Sequence, residues 1–371
     1  MKNLRFITRA TFSSGFTMLL LCTFGCSGVG NGGGGQVAHG IFAYVVVSDN
    51  AGNGSIAQFQ MATDGTLTTL GPALSAGQET YPAAVDPSGK YLFAANFTSG
   101  TIQQFVIATD GTLSANAVPT ISTGNYPSTI TFTPNGRFAL VAVGYGGTLN
   151  SYSLGPTGTL TLASSAPTGN NPSSVAVDQS GSFAYVTSND GSTITGYRIS
   201  SVGTLVPLEA IAPPACSSGC IQLVISPKGS LYALNEVSAT VTQFSIDSST
   251  GVLSAVNTYP AGPSHPAWIS FDPSGNFAYV INQANTLSQF TVDSDGGLIG
   301  NGLGIATPFG PSNGAVDPSG KFFFFGDLGQ TGTFTPQISQ FVINSDGTLT
   351  SSGTLPLGAN QYPGSITFMQ R

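Results

Sequence analysis

Charge is what this sequence has least of. Asp, Glu, Lys and Arg make up 7% of its 371 residues, where soluble domains average about 25%. That scarcity excludes long solvent-facing helices laced with Glu–Lys pairs. Basic residues are rarer than acidic ones, 9 against 16, and the net charge is −7. Nucleic acid is excluded as a partner, because its phosphates call for clustered Lys and Arg. Histidine occurs only twice. No Gly-x-Ser-x-Gly elbow, HExxH helix or P-loop is present, so no metal and no cofactor is expected. What the chain has in quantity is 49 Gly, 23 Pro and 40% apolar residues, a tenth of all residues being aromatic. A disordered acidic chain would lack that apolar content. The composition fits a Gly- and Pro-punctuated all-β protein with an ample core.

The first residues read as an address. Lys2, Arg5 and Arg9 precede a mostly apolar, uncharged stretch from Ala10 to Phe24. It is short for a membrane span, which needs about 20 residues, and suits a secretory h-region. Thr23-Phe24-Gly25-Cys26-Ser27, followed by a Gly-rich run, resembles a bacterial lipoprotein signal with Cys26 as the lipidated residue. The implied organisation is a signal peptide over 1–26, a tether over 27–39 and a folded body over 40–369. The implied location is the cell envelope, periplasm or outer membrane, with the membrane touched only through the lipid anchor; plain secretion is the alternative. Beyond the signal the only cysteines are Cys216 and Cys220, with Ser-Ser-Gly between them, and they are expected to form a disulfide outside the cytoplasm.

The body repeats. A Gly-x-Leu turn begins at Gly65, Gly111, Gly158, Gly203, Gly251, Gly296 and Gly347. Gly65 and Gly347 are 282 positions apart, six steps averaging 47. Upstream of each turn lies a β-branched and aromatic run such as Thr101-Ile102-Gln103-Gln104-Phe105 or Thr286-Leu287-Ser288-Gln289-Phe290, which reads as a strand buried on both faces. A third motif, Asp86-Pro87-Ser88-Gly89 and its relatives at Asp272 and Asp317, has type I turn chemistry, so its aspartates are structural. Each unit thus has four strands: A before the Asp-Pro turn, B after it, C, and D after Gly-x-Leu. Seven such units describe a seven-bladed β-propeller of antiparallel blades. The chain ends on a lone strand A, Pro363–Phe368, and its body starts on a lone strand B, Phe42–Val47. Pairing the two completes the seventh blade, closes the ring and removes exposed edges.

Pro-x-x-Ile-x-Phe-x-Pro-x-Gly followed by Phe-Ala-Tyr-Val resembles the YVTN-type, lactonase-like propellers, a group similar to 6-phosphogluconolactonase and carboxymuconate cyclase. The resemblance implies a site where the D–A and B–C loops surround the central channel. The D–A loops place Tyr81, Tyr126, Asn171, His265 and Tyr362 directly before a proline, a position expected to be extended. The B–C loops add Asn235, Glu236 and Asp327, and Glu79 joins from a D–A loop. Asn235-Glu236 resembles an Asn-Glu pair of lactonase-like members; their Pro-Arg-His is replaced here by Cys220-Ile221-Gln222. Lys90, Arg137, Lys228 and Lys321 all belong to A–B turns, on the face away from the mouth. A phosphorylated acid needs Arg or Lys at its site, so 6-phosphogluconolactone is disfavoured. Two readings follow. The first is a monomeric module binding a small neutral polar ligand, or a protein partner, at the mouth through Tyr81, Tyr126, Asn171, Tyr362, Asn235, Asp327 and Glu79. The second is a lactonase acting on an unphosphorylated sugar lactone with His265 as base and Glu236 as its partner.

Overall fold

The computed structural model describes residues 40–188, 193–208, 219–263, 265–308, 310–329, 335–358 and 360–371. The signal peptide, the tether, Cys26 and Cys216 lie outside the described residues. Among the described residues every regular element is a strand, and the strands form seven antiparallel sheets in the order A-B-C-D. The split blade is numbered 1. Its strand A is Tyr362–Gln370 and its strand B is Ile41–Ser48. The partners run from Ile41 opposite Gln370 to Ser48 opposite Tyr362, so the ends of the body close the ring as expected.

The seven A strands touch one another in an unbroken cycle around the axis. Side chains stitch this inner ring. Ser365 Oγ donates to the Tyr81 carbonyl at 2.9 Å, Ser128 Oγ to that of Pro172 at 2.6 Å and Ser270 Oγ to that of Gly314 at 2.7 Å. Strand B is buried on both faces, completely so in Phe138–Val143 and Phe183–Ser188, because neighbouring blades cover it from each side.

The repeated motifs meet across blade junctions. A Cβ on Gly111 would lie 2.1 Å from the Phe42 ring of the preceding blade, one on Gly251 2.3 Å from Phe183, and one on Gly347 2.0 Å from Phe277. Each of these glycines has a positive φ, so both conformation and space require glycine there. Tyrosines two residues after these phenylalanines reinforce the contact: Tyr44, Tyr185 and Tyr279 donate to the Gly111, Gly251 and Gly347 carbonyls at 2.8 to 2.9 Å. The glutamine of strand C is a second bridge. Gln104 donates to the Val118 carbonyl of its own blade at 2.6 Å and accepts from Leu160 N of the next at 2.9 Å. Gln58 and Gln289 repeat the arrangement. The A–B turn aspartates are structural; Asp317 Oδ1 accepts from the backbone of Lys321 and Phe322.

Candidate mouth of the propeller channel

Antiparallel order puts the D–A and B–C loops of every blade at one end. In six blades the residue entering strand A is left-handed: Glu79 (φ 49°), Tyr126 (65°), Asn171 (49°), Gly219 (77°), His265 (42°) and Gly310 (71°). The expectation of an extended pre-proline residue therefore fails at Tyr126, Asn171 and His265 and holds at Tyr81 and Tyr362, which lie within strands. The physical reason is a repeated hydrogen bond. The left-handed turn aims its carbonyl at the N–H just past strand B, as in Phe97 N to Glu79 O (2.9 Å), Gly144 N to Tyr126 O (2.8 Å) and Gln283 N to His265 O (2.9 Å). A bulge at the start of strand A accompanies it in these six blades and is present in blade 1 as well. Non-glycine residues held there store about 1–3 kcal/mol of strain each.

Two expected ligand contacts are absent from the surface. Asn235 and Asp327 end their B strands fully buried, at 1% and 0% exposure. Asn235 Nδ2 donates to Thr240 and Thr242 of strand C, and Asp327 accepts from Ser339 and Gln337. Strand alternation explains the correction: the last residue of strand B points into the blade, and the residue after it reaches the loop. Among the described residues Asp327 Oδ1 has no partner, and burial pushes this carboxyl up to about 6 against the pull of Ser339 and Gln337. Cys220 is buried and disulfide-bonded, with its sulfur 3.1 Å from Asn235 Oδ1; Cys216 lies outside the described residues.

The others stay at the mouth. Asn171 and His265 are exposed; Tyr362, Glu79 and Glu236 are half-buried. His265 and Glu236 share no hydrogen bond or ion pair but meet through Gln283, whose N–H binds the His265 carbonyl and whose Nε2 donates to Glu236 Oε1 at 3.5 Å. Among the described residues no three His, Cys, Asp or Glu are grouped to hold a metal ion.

Blades 2 and 3 carry an aromatic strip. Tyr81 meets Phe97 edge-on at 5.8 Å, Phe97 packs on Tyr126 at 4.8 Å with a 34° tilt, and Tyr126 meets Tyr145 edge-on at 6.3 Å. Tyr81 and Tyr126 were expected here; Phe97 and Tyr145 were not. Their signal was position: Phe97 directly follows strand B of blade 2 and Tyr145 comes two residues after that of blade 3.

Beyond residue 40 the sequence holds six cations. Arg137, Arg198, Lys228 and Arg371 donate to backbone carbonyls at Ser201, at Ser249, at Val292 and Asp293, and at Gly89, Ile107 and Ala108 respectively, all at A–B or C–D turns and the strand ends beside them. Lys90 and Lys321 sit in A–B turns. The mouth therefore has carboxylates and no cation.

The model of the lactonase seven-bladed β-propeller family matches residues 37–120, 115–222 and 214–303. No curated protein matches the sequence. Among solved structures, a protein from Lactobacillus plantarum superposes with a TM-score of 0.76 at 18% identity, over 90% of this chain and 100% of its own. The periplasmic gluconolactonase of Pseudomonas aeruginosa superposes with a TM-score of 0.70 at 18% identity, over 88% of this chain and 99% of its own. Likeness at such identity speaks for the fold.

Proposed function

The chain belongs to the lactonase seven-bladed β-propeller family, and on that premise we propose that it works as a monomeric, envelope-anchored module that binds a small neutral polar ligand at the channel mouth. The observation that carries this reading is the distribution of charge. Every cation of the body is engaged at, or placed on, the far face, while the mouth presents tyrosines, Asn171 and the carboxylates Glu79 and Glu236. An anionic ligand would meet no counter-charge there. Titration calorimetry of the full chain should show binding of neutral sugars and none of 6-phosphogluconate. Turnover of 6-phosphogluconolactone would sink the proposal.

A second reading is favoured by Gln283, which ties His265 and Glu236 into one two-blade segment. On this reading the protein opens an unphosphorylated sugar lactone, His265 drawing a proton from water and Glu236 orienting the site through Gln283. Activity on a panel of unphosphorylated lactones, abolished by His265→Ala and by Glu236→Gln, would establish it in place of the binding module.

Export and anchoring at Cys26 are supported by the charged and apolar pattern of residues 2–24 and by the periplasmic location of the Pseudomonas aeruginosa relative. Wild-type protein should partition with membranes and Cys26→Ser should be soluble, since stable anchoring takes more than one acyl chain. A wild type found wholly in the soluble fraction would leave simple secretion.

A further inference from the structure

The aromatic strip of blades 2 and 3 is built, not incidental. Its four rings stand on a relay of backbone hydrogen bonds between loops: Phe97 N to Glu79 O (2.9 Å), Tyr126 N to Phe97 O (3.2 Å), Gly144 N to Tyr126 O (2.8 Å) and Tyr145 N to Asn125 O (3.2 Å). At one end Tyr81 is pinned to the inner ring, its carbonyl accepting from Ser365 Oγ of the closing strand. Tyr126 holds a left-handed backbone before Pro127, a conformation that bulky side chains avoid. Rings held this way lose little freedom when a ligand arrives.

Exposure and charge narrow the occupant. Tyr81, Tyr126 and Tyr145 are 49%, 40% and 72% exposed, and Phe97 between them is half-buried. With about 200 Å² per aromatic side chain, the open area is roughly 300 Å². A stable protein partner covers about 800 Å² on each side, so the strip suits a ligand smaller than a folded protein. A quaternary ammonium needs ring faces around an open centre; here Phe97 fills the space between Tyr81 and Tyr126. Anions are excluded by the lack of any cation on this face, and Glu79, which accepts from Thr98, adds a negative charge felt at Tyr81. What remains is a neutral molecule with flat apolar faces and hydroxyl rims. Steps of 5.8, 4.8 and 6.3 Å between successive rings offer several contacts in a row, which a single sugar ring cannot span.

We infer that Tyr81, Phe97, Tyr126 and Tyr145 form a stacking platform for a neutral oligosaccharide, laid across blades 2 and 3 beside the channel. This rests on the mouth-binding reading and deepens it by naming the ligand class and the quadrant. The phenol of Tyr81, which burial and then the Glu79 carboxylate shift upward, supplies a hydrogen-bond donor at the inner end.

The test is calorimetry of the full chain with cellotetraose, laminaritetraose, maltotetraose and chitotetraose, with choline as the control. At least one tetraose should bind and choline should not. Tyr126→Ala and Tyr145→Ala should each weaken that binding about five- to tenfold, the loss of one aromatic stack, while Val202→Ala, at an exposed C–D turn residue on the opposite face, binds as the wild type does. Because Tyr126 packs on Phe97, circular dichroism melting of each variant checks the fold, and the exposed Tyr145 keeps the test decisive if Tyr126→Ala unfolds. Tetraose binding untouched by Tyr145→Ala would overturn the platform and leave binding elsewhere at the mouth intact. Binding of choline without any tetraose would overturn it in favour of a cation. Binding of no sugar at all would overturn both the platform and the mouth-binding proposal.

Discussion

Asp327 occupies the position that holds Asn96, Asn235 and Asn282 in three other blades. Asn96 shows what the site asks for: its Nδ2 donates to the Ala76 carbonyl at 2.9 Å and to Thr101 at 3.0 Å. An ionised carboxylate has nothing to donate, whereas a protonated one imitates the amide. Burial accordingly raises this carboxyl from an ordinary 3.8 to about 6. Burial therefore favours the neutral form over the ionised one. Its contribution to stability is full below the unfolded value near 3.8 and is lost as pH rises through about 6. Asp327→Asn should therefore raise the melting temperature at pH 7.5, by an effect worth about 2–3 kcal/mol, and change it little at pH 4. Equal shifts at both pH values would contradict this account. The sequence showed Asp327 as a polar residue closing a strand, which is true of mouth residues and buried ones alike. Only the alternation of strand B within its blade decided which way it points.

At the scale of the element, the Gly-x-Leu turn and the first aromatic of strand B are two halves of one contact. The turn was plain in the sequence as a seven-fold motif; that Gly111 faces Phe42 from the neighbouring blade was not, because the two are 69 positions apart. Gly111→Ala should meet two penalties, a positive φ of 84° and a Cβ 2.1 Å from a buried ring, for a loss of about 2–4 kcal/mol. Gly146→Ala shares the first, with φ 110°, but has nothing within 4 Å of its Cβ, so about 1–2 kcal/mol is expected. Urea melts of the two variants should separate them in that order. Equal losses would show that conformation, not the aromatic contact, makes glycine necessary.

For the whole molecule, closure is the decisive contact. Strand Tyr362–Gln370 pairs with strand B of blade 1 and completes the inner ring, and Arg371 beyond it donates to the Gly89, Ile107 and Ala108 carbonyls of blade 2. A chain stopped after Gly358 loses the burial of Ile366 and Met369 and the ladder to strand B. Together these are worth roughly 6–11 kcal/mol, comparable to the whole stability of a typical domain, about 5–15 kcal/mol. The truncated chain should aggregate or lack a cooperative melt. Arg371→Ala should lower stability by about 1–2 kcal/mol, since its hydrogen bonds reach carbonyls that water can also serve. A truncation melting at the wild-type temperature would refute the split blade.

The pattern of residues alone set the blade count, the strand order and the ring closure, because these rest on local turn chemistry repeated at a fixed period and on two unpaired strands at the ends. It also determined that the mouth lacks cations, since each Lys and Arg carries its place in the turn motif with it. The tertiary structure decided what period and motif leave open. It turned Asn235 and Asp327 inward, gave Tyr126, Asn171 and His265 a left-handed backbone, and at Tyr126 and His265 aimed the carbonyl of that turn at an N–H past strand B. It also brought Phe97 and Tyr145 beside Tyr81 and Tyr126. Side-chain direction at a strand end and contact between loops of neighbouring blades depend on packing across the ring, which no local pattern encodes.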